Sequence, residues 1–290
     1  MKWDEYSSKG TANFMDNLKV TSSTNGNSWT YSPIKYWPNN DGAMVTFLAY
    51  APWVDGKKIV DDAKVNFEVK NSISEQTDLV WNTENHIDAK KDKLNGNVNF
   101  KFNHALARIG LKLEAAVDKV DAGGRLDKNT TITVNSVTFS KDFHQYGRLD
   151  LTKRTATWND LSGKQGFVFG SDNFKNNEIK EASHISAKQL NKDDSYLMVI
   201  PQDFVTEFAD GFDVTVNYNV VTEDPTIDGA GGGCSDIENN ITRNVKLKLE
   251  AGKAYTLKLH IGMNSVDITA SVEEWKDVAD TVVNVPKNEE

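Results

Sequence analysis

The sequence predicts an all-β protein built from antiparallel sandwiches. Three observations carry this expectation. Apolar residues recur with a period of two over most hydrophobic segments, Asn-Gly and Asp-Gly pairs punctuate them, and helical periodicity is scarce. Alternation of this kind gives strands with one face buried and one solvated, and the Gly-containing pairs tolerate the positive φ angles that hairpin turns require.

Taken in order, the first strand segments are Val45 to Tyr50 and Val65 to Val69, flanked by the turns Asn39-Asn40-Asp41-Gly42 and Asp55-Gly56. After Asn95-Gly96 comes the long run from Val98 to Leu113. Here Val98, Phe100 and Phe102 share one parity, whereas Ala105, Ala107, Ile109, Leu111 and Leu113 share the other. A slip of one residue turns every following side chain to the opposite face. A β-bulge, a crossing between sheets, or two strands joined by a tight bend is therefore expected near Asn103-His104. The charged, small and Gly-containing stretch Glu114 to Thr130 reads as a linker, which divides the chain into domains at 1–117 and 118–290.

In the second half, Ile132 to Phe139, Gly147 to Leu151 and Tyr196 to Ile200 read as strands. A short helix is the best reading of Ile185 to Leu190, capped by Ser183. Following Asp210-Gly211, the residues Phe212, Val214, Val216, Tyr218 and Val220 alternate over a full strand length. Val245, Leu247 and Leu249 repeat the pattern. The turn Ala251-Gly252-Lys253 leads into Tyr255, Leu257, Leu259, Ile261 and Met263, and then Val266, Ile268, Ala270 and Val272. Between two of these strands, Asp228 to Ser235 is Gly-rich and reads as a flexible loop. No βαβ rhythm appears, which disfavours nucleotide-binding α/β folds.

Composition narrows the function. With 290 residues the chain can bury a large core without a metal or disulfide as a staple. Its formal charge of -9 argues against nucleic acid and against docking on anionic lipid. Cys234 is the single cysteine, so no disulfide forms within the chain. Among its acidic neighbours it lacks the positive environment that generates a thiolate. No apolar run reaches the roughly 18 residues of a membrane span. The start, Met1 to Glu5, shows neither an apolar signal core nor a lipidation cysteine, so the chain is either cytosolic or begins after processing. The sequons at Asn129 and Asn240 read as chance matches in a chain rich in Asn and Thr.

No catalytic or cofactor chemistry emerges. The histidines at 86, 104, 144, 184 and 260 show no metal-binding spacing, and His104 and His260 read as hydrogen-bonded strand residues. There is no nucleophile elbow, and the glycine-rich stretch 229–233 precedes no helix and so cradles no phosphate. Asp224, Asp228 and Asp236 surround that stretch but miss the spacing of a calcium loop. Six tryptophans, Trp29, Trp37, Trp53, Trp81, Trp158 and Trp275, fall one to a segment beside strands and turns, as packing residues do.

Particular strings carry a resemblance. Trp29-Thr-Tyr-Ser-Pro33, Tyr36-Trp37-Pro38 and Val45-Thr-Phe-Leu-Ala-Tyr-Ala-Pro52 come first, followed by Phe100-Lys-Phe-Asn-His-Ala-Leu-Ala-Arg-Ile109. Tyr196-Leu-Met-Val-Ile-Pro-Gln202, Ala251-Gly-Lys-Ala-Tyr-Thr-Leu-Lys-Leu259 and Val272-Glu-Glu-Trp275 complete the order. Over nearly its whole length the chain resembles the fimbrillins, the major pilins of Bacteroidales-type fimbriae. The signature residues are Phe102, His104, Ala105, Leu106, Ala107, Arg108, Pro201, Gln202 and Trp275.

The resemblance implies two tandem transthyretin-like antiparallel β-sandwich domains, export as a lipoprotein, and a place in an outer-membrane fimbrium that mediates adhesion. It also implies no enzyme activity and no cofactor. Partners would be other copies or other fimbrial subunits, together with host or bacterial surface receptors or glycans, and not nucleic acid. Assembly would proceed by donor-strand exchange, in which a neighbour's strand fills an apolar groove left by a missing one. Relatives carry an additional strand before the region matching Phe14 to Leu18, so the N-terminal sandwich is expected to lack its first strand. The donor would be the alternating pegs Val266, Ile268, Ala270 and Val272, or the shorter Thr281 to Val285 ending at Pro286; in the other reading Val266 to Val272 is the last strand of its own domain. Two competing functions are a glycan-binding module using exposed Trp53 and Trp81, and a hydrolase with two carboxylates facing across a cleft.

Overall fold

The computed structural model describes residues 15–22, 29–38, 44–54, 63–82, 86–88, 97–115, 129–180, 187–224, 233–276 and 281–284. Among these the regular structure is β-strand, with two short 3₁₀ turns and no α-helix. In chain order the first strands are β1 (Val20–Ser22), β2 (Trp29–Tyr31), β3 (Met44–Thr46), β4 (Ala49–Ala51), β5 (Lys64–Glu68), β6 (Val80–Asn82) and β7 (His86–Asp88). Next come β8 (Asn97–Phe100), β9 (Asn103–His104), β10 (Ala107–Ala115), β11 (Thr130–Asp150), β12 (Trp158–Phe169), β13 (Glu178–Ile179) and β14 (Lys188–Gln189). The remainder are β15 (Leu197–Val199), β16 (Gln202–Asp203), β17 (Phe212–Asp224), β18 (Gly233–Val245), β19 (Lys248–Leu249), β20 (Lys253–Ile261), β21 (Val266–Glu274) and β22 (Thr281–Asn284).

Two sheets enclose the main core. One runs β14-β10-β20-β21 with β15 also on β10, and the other runs β12-β11-β17-β18 with β13 and β5 also on β11. Alternation explains why they face each other. Tyr255, Leu257, Leu259 and Ile261 of β20 and Phe212, Val214, Val216, Tyr218 and Val220 of β17 are all buried. Between the sheets, Phe143 packs 5.1 Å from Phe212, which lies 4.9 Å from Phe204. Aromatic pairs at such separations add attraction beyond the area they bury.

A second, small core gathers Trp37, Val45, Phe47, Val98 and Phe100. Around it lie the pairs β1-β2, β3-β7 and β22-β8, and a three-stranded sheet β4-β6-β9 connects this region to the main core.

The parity change expected near Asn103-His104 is a crossing between sheets. β8, β9 and β10 belong to three different sheets. Val98 and Phe100 serve the small core, whereas Ala105, Leu106, Ala107, Ile109, Leu111 and Leu113 serve the large one. This also bears on the division expected at residue 117. β5 pairs with β11, and β10 pairs with β20, so strands from before that boundary complete the sheets formed after it. The large core thus draws on both sides of the expected boundary. Most of the linker reading, 116–129 apart from Asn129, lies outside the described residues, as does Phe14.

Three further differences are instructive. β10 and β20 run parallel, in register from Arg108↔Ala254 to Ala115↔Ile261, within otherwise antiparallel pairing. Strand alternation reports which face is buried and carries no information about a partner's direction. Lys188-Gln189, expected in a short helix, forms β14 against β10, because edge pairing supplies backbone partners that one isolated helical turn lacks. Gly233 to Ser235, expected in a loop, pair with Asp224 to Thr222 as the start of β18. Finally, the segments Ile132 to Phe139 and Gly147 to Leu151 are one strand, β11, whose register against β12 shifts between Phe139 and Phe143 and again between Tyr146 and Arg148.

Candidate functional site

The signature residues, scattered in sequence, converge where the two cores meet. The segment after β9 must cross from one sheet to another, and its side chains pin that crossing. Ala105, Leu106 and Ala107 are fully buried. Ala105 N–H donates to Leu79 O at 2.8 Å, and its carbonyl accepts the Trp158 indole N–H at 3.1 Å. No larger residue fits such closely approached backbone without displacing it.

Flanking this buried triplet, His104 and Arg108 hold Trp275. The His104 ring stacks on the Trp275 ring with centroids 3.8 Å apart and planes 10° from parallel. Its Nδ1 lies 2.6 Å from Asp78 Oδ2, so the proton on that nitrogen is directed at the carboxylate. The Arg108 guanidinium lies 4.5 Å from the Tyr196 ring centroid and 4.9 Å from that of Trp275, within the range of cation–π attraction. Backbone bonds continue the staple: Trp275 N–H donates to Gly252 O, and Gly252 N–H donates to Leu106 O. Gly252 adopts φ of 70°, a conformation that favours glycine in this turn.

The other signature residues are placed nearby. Phe102 packs 6.2 Å from Phe100 at the edge of the small core. Gln202, which follows Pro201, accepts from His144 N–H at 2.8 Å and donates to Asp142 O at 3.1 Å, fixing β16 beside β19. His144 itself is held below the ordinary histidine range by burial and by the charge of Lys164. Sequence reading singled out these residues as strings; it missed Asp78 and Tyr196 as their partners, because a lone acid and a lone tyrosine carry no periodic signal.

The candidate donor pegs occupy β21, which pairs antiparallel with β20 from Val266↔Ile261 to Glu274↔Lys253. Val266 is buried, Ile268 half-buried, and Ala270 and Val272 exposed. β21 is thus the last strand of its own sheet, with one edge open. The second candidate, β22, pairs antiparallel with β8 from Thr281↔Phe100 to Asn284↔Asn97. It thereby joins the C-terminal stretch to the small core near the other end of the sequence.

Other candidates fall into place as structural residues. Trp81 is buried, and Trp53 is half-buried with its N–H on Asn17 O and Lys19 over its ring. Trp81 offers no exposed face for a sugar, contrary to the glycan-module reading. His260 meets Glu114 and Thr269. Asp236 accepts from Asn219, while Asp228 lies outside the described residues, as do His184 and Ser183. Cys234 is exposed on β18. Among the described residues no three His, Cys, Asp or Glu side chains converge as metal ligands, and no helix is long and apolar enough to cross a membrane.

Comparison with known proteins agrees with this placement. The fimbrillin-like family matches residues 1–275. A curated relative, fimbrium subunit Fim1C of Phocaeicola vulgatus, is 27% identical over 314 aligned positions that cover 98% of this chain and 81% of the relative. Among solved structures, a fimbrial protein from Bacteroides vulgatus superposes with a TM-score of 0.69 at 22% identity, covering 94% of this chain and 89% of that one. A Bacteroides uniformis structure follows with a TM-score of 0.52 at 15% identity, over 89% and 84% of the two chains. Both likenesses support the fold.

Proposed function

This chain belongs to the fimbrillin-like family, and from that premise we propose that it is a structural subunit of a cell-surface fimbria, joined to its neighbours by exchange of a C-terminal strand. The observation that carries the proposal is the pairing of β22 with β8. A short strand that adds to a distant sheet of its own chain can add equally to that sheet in another copy, since the contacts are the same and only the connection differs. The small core is the acceptor, and it is the region expected to lack a first strand.

Of the two candidate donors, β22 suits the role better than β21. β21 is laddered to β20 over nine register pairs and covers the edge beside Leu257, Leu259 and Ile261. Its departure would expose apolar core to water, at about 25 cal/mol per Å². β22 forms four register pairs with β8. Exchanging it costs far less. Family membership and the absence of any assigned chemistry in the signature residues support a non-enzymatic role, with adhesion, outer-membrane attachment and export following from the fimbrial assignment.

Two truncations test the assignment. A chain ending at Lys276 is expected to keep its main fold, by circular dichroism and a cooperative melt, yet to form no filaments under electron microscopy when the full chain does. A chain ending at Asn264 is expected to lose cooperative folding. Filaments from the chain ending at Lys276 would reject the β22 exchange.

A further inference from the structure

Beside the His104–Trp275 stack opens a cleft of about 1150 Å³ between the two cores. We propose that this cleft binds an acidic oligosaccharide, a chain of hydroxyl-bearing sugars carrying carboxylates. The inference goes beyond the fimbrial role and does not rest on it. Two independent features of the lining carry it: unspent positive charge at the rim and unspent hydrogen-bonding atoms in the wall.

The charge is unexpected on a protein with a net charge of -9. Lys101, Arg154 and Lys276 come from three separate segments, all line the cleft, and none has an ion-pair partner among the described residues. The acidic groups of the same lining are mostly engaged. Glu250 pairs with Lys248, and Glu274 pairs with Lys253. Asp203 accepts from the N–H groups of Val205 and Thr206, which hold its carboxyl below the usual range. Glu207 is the remaining acid. The uncommitted charge is therefore positive, and it favours an anionic ligand whose charges are spread along its length.

The wall holds three buried polar atoms that find no partner in the protein: Trp81 Nε1, Asn82 Oδ1 and His104 Nε2. Their residues are 3%, 2% and 5% exposed, and all three line the cleft. Buried polar groups are nearly always hydrogen-bonded, and leaving one unmade costs roughly 1–3 kcal/mol. The other functional atoms on two of these side chains are already committed. Asn82 Nδ2 donates to Lys101 O, and His104 Nδ1 faces Asp78. What remains is a donor on the indole, an acceptor on the amide and one imidazole nitrogen. A sugar hydroxyl both donates and accepts, so one class of group can serve all three.

Size and shape agree. The volume exceeds the roughly 300–1,000 Å³ typical of single small-molecule sites, so the ligand is oligomeric. A peptide is the less suited polyanion, because the uncommitted groups in the walls are hydrogen-bonding atoms and cations, with no deep apolar pocket of the kind that anchors a peptide side chain.

The test uses the full chain and calorimetric titration with a galacturonic acid hexamer, a neutral glucose hexamer and hexaglutamate. The hexamer of galacturonic acid is expected to bind, more tightly at low salt. A variant carrying Lys101→Gln, Arg154→Gln and Lys276→Gln should bind it at least tenfold more weakly with an unchanged melting temperature. Trp81→Phe, which keeps the ring and removes the N–H, should also weaken it. The three surface changes decide the question even if Trp81→Phe fails to fold. Absence of binding, unaltered affinity in the triple variant, or equal binding of the neutral hexamer would each overturn the proposal. Equal binding of hexaglutamate would overturn the saccharide assignment in favour of an acidic peptide. All readouts are on unassembled protein, so failure here leaves the fimbrial proposal standing, and failure of filament formation leaves this one standing.

Discussion

Arg108 was legible in the sequence only as part of a recurring string, and its work becomes clear from what encloses it. Tyr196 and Trp275 supply two ring faces, and the glycine two residues further on supplies space. A Cβ added to Gly110 would lie 2.9 Å from Tyr196 Cε1. Glycines that yield to backbone are more stringent still. At Gly166 an added Cβ would come 2.4 Å from Phe139 O, at the start of the β11 register shift, whereas at Gly170 nothing lies within 4 Å. Gly166→Ala is therefore expected to destabilise the protein by about 1–3 kcal/mol, as overpacking does. Gly170→Ala should stay within about 0.5 kcal/mol. Urea unfolding midpoints of the two variants check this. Neither glycine stands out in the sequence, because both interrupt or border an ordinary alternating strand; what distinguishes them is a neighbour that only pairing brings close.

At the scale of elements, a period of two was enough to find β5, β17, β20 and β21 within a residue or so, since each has one face in the core. Partners were not legible. Nothing in the alternation of Ala107 to Leu113 announces a parallel neighbour more than 140 positions away, because direction is set by the path of the connections. Nor did the pegs of β21 reveal how unequally they are buried. Val266 is 2% exposed and Val272 is 59% exposed, although both lie on the parity that faces the core, because the far end of β21 runs past the covering sheet. This yields a paired prediction. Val266→Asp buries an uncompensated charge and should cost several kcal/mol, enough to unfold much of the population at room temperature. Val272→Asp should change stability by less than about 0.5 kcal/mol. Denaturant titration followed by tryptophan fluorescence separates the two. Similar large losses for both would mean that the end of β21 is covered in solution.

Across the whole molecule, the contrast between the two cores governs behaviour. The large core joins residues from Val65 to Val266 into one buried cluster, while the small one holds five fully buried side chains, Trp37, Val45, Phe47, Val98 and Phe100. The chain passes from the small core into the large one at β9–β10 and returns at its C-terminal end through β22, so the small core depends on pairing from a distant segment. Few buried apolar contacts and short two-stranded ladders define a region that opens at low free energy. The amides of β3 and β8 are accordingly expected to exchange with deuterium through local opening, at a free energy well below that of β10, β17 and β20, whose exchange should track global unfolding. Ending the chain at Lys276 should speed exchange in β8 further and leave β10 and β20 unchanged. This follows from the same geometry that makes the small core an acceptor: a sheet completed by a strand from afar must be able to release it before another copy can supply the replacement. Uniform protection across both cores, unaffected by the truncation, would show the small core to be closed and the exchange route unavailable.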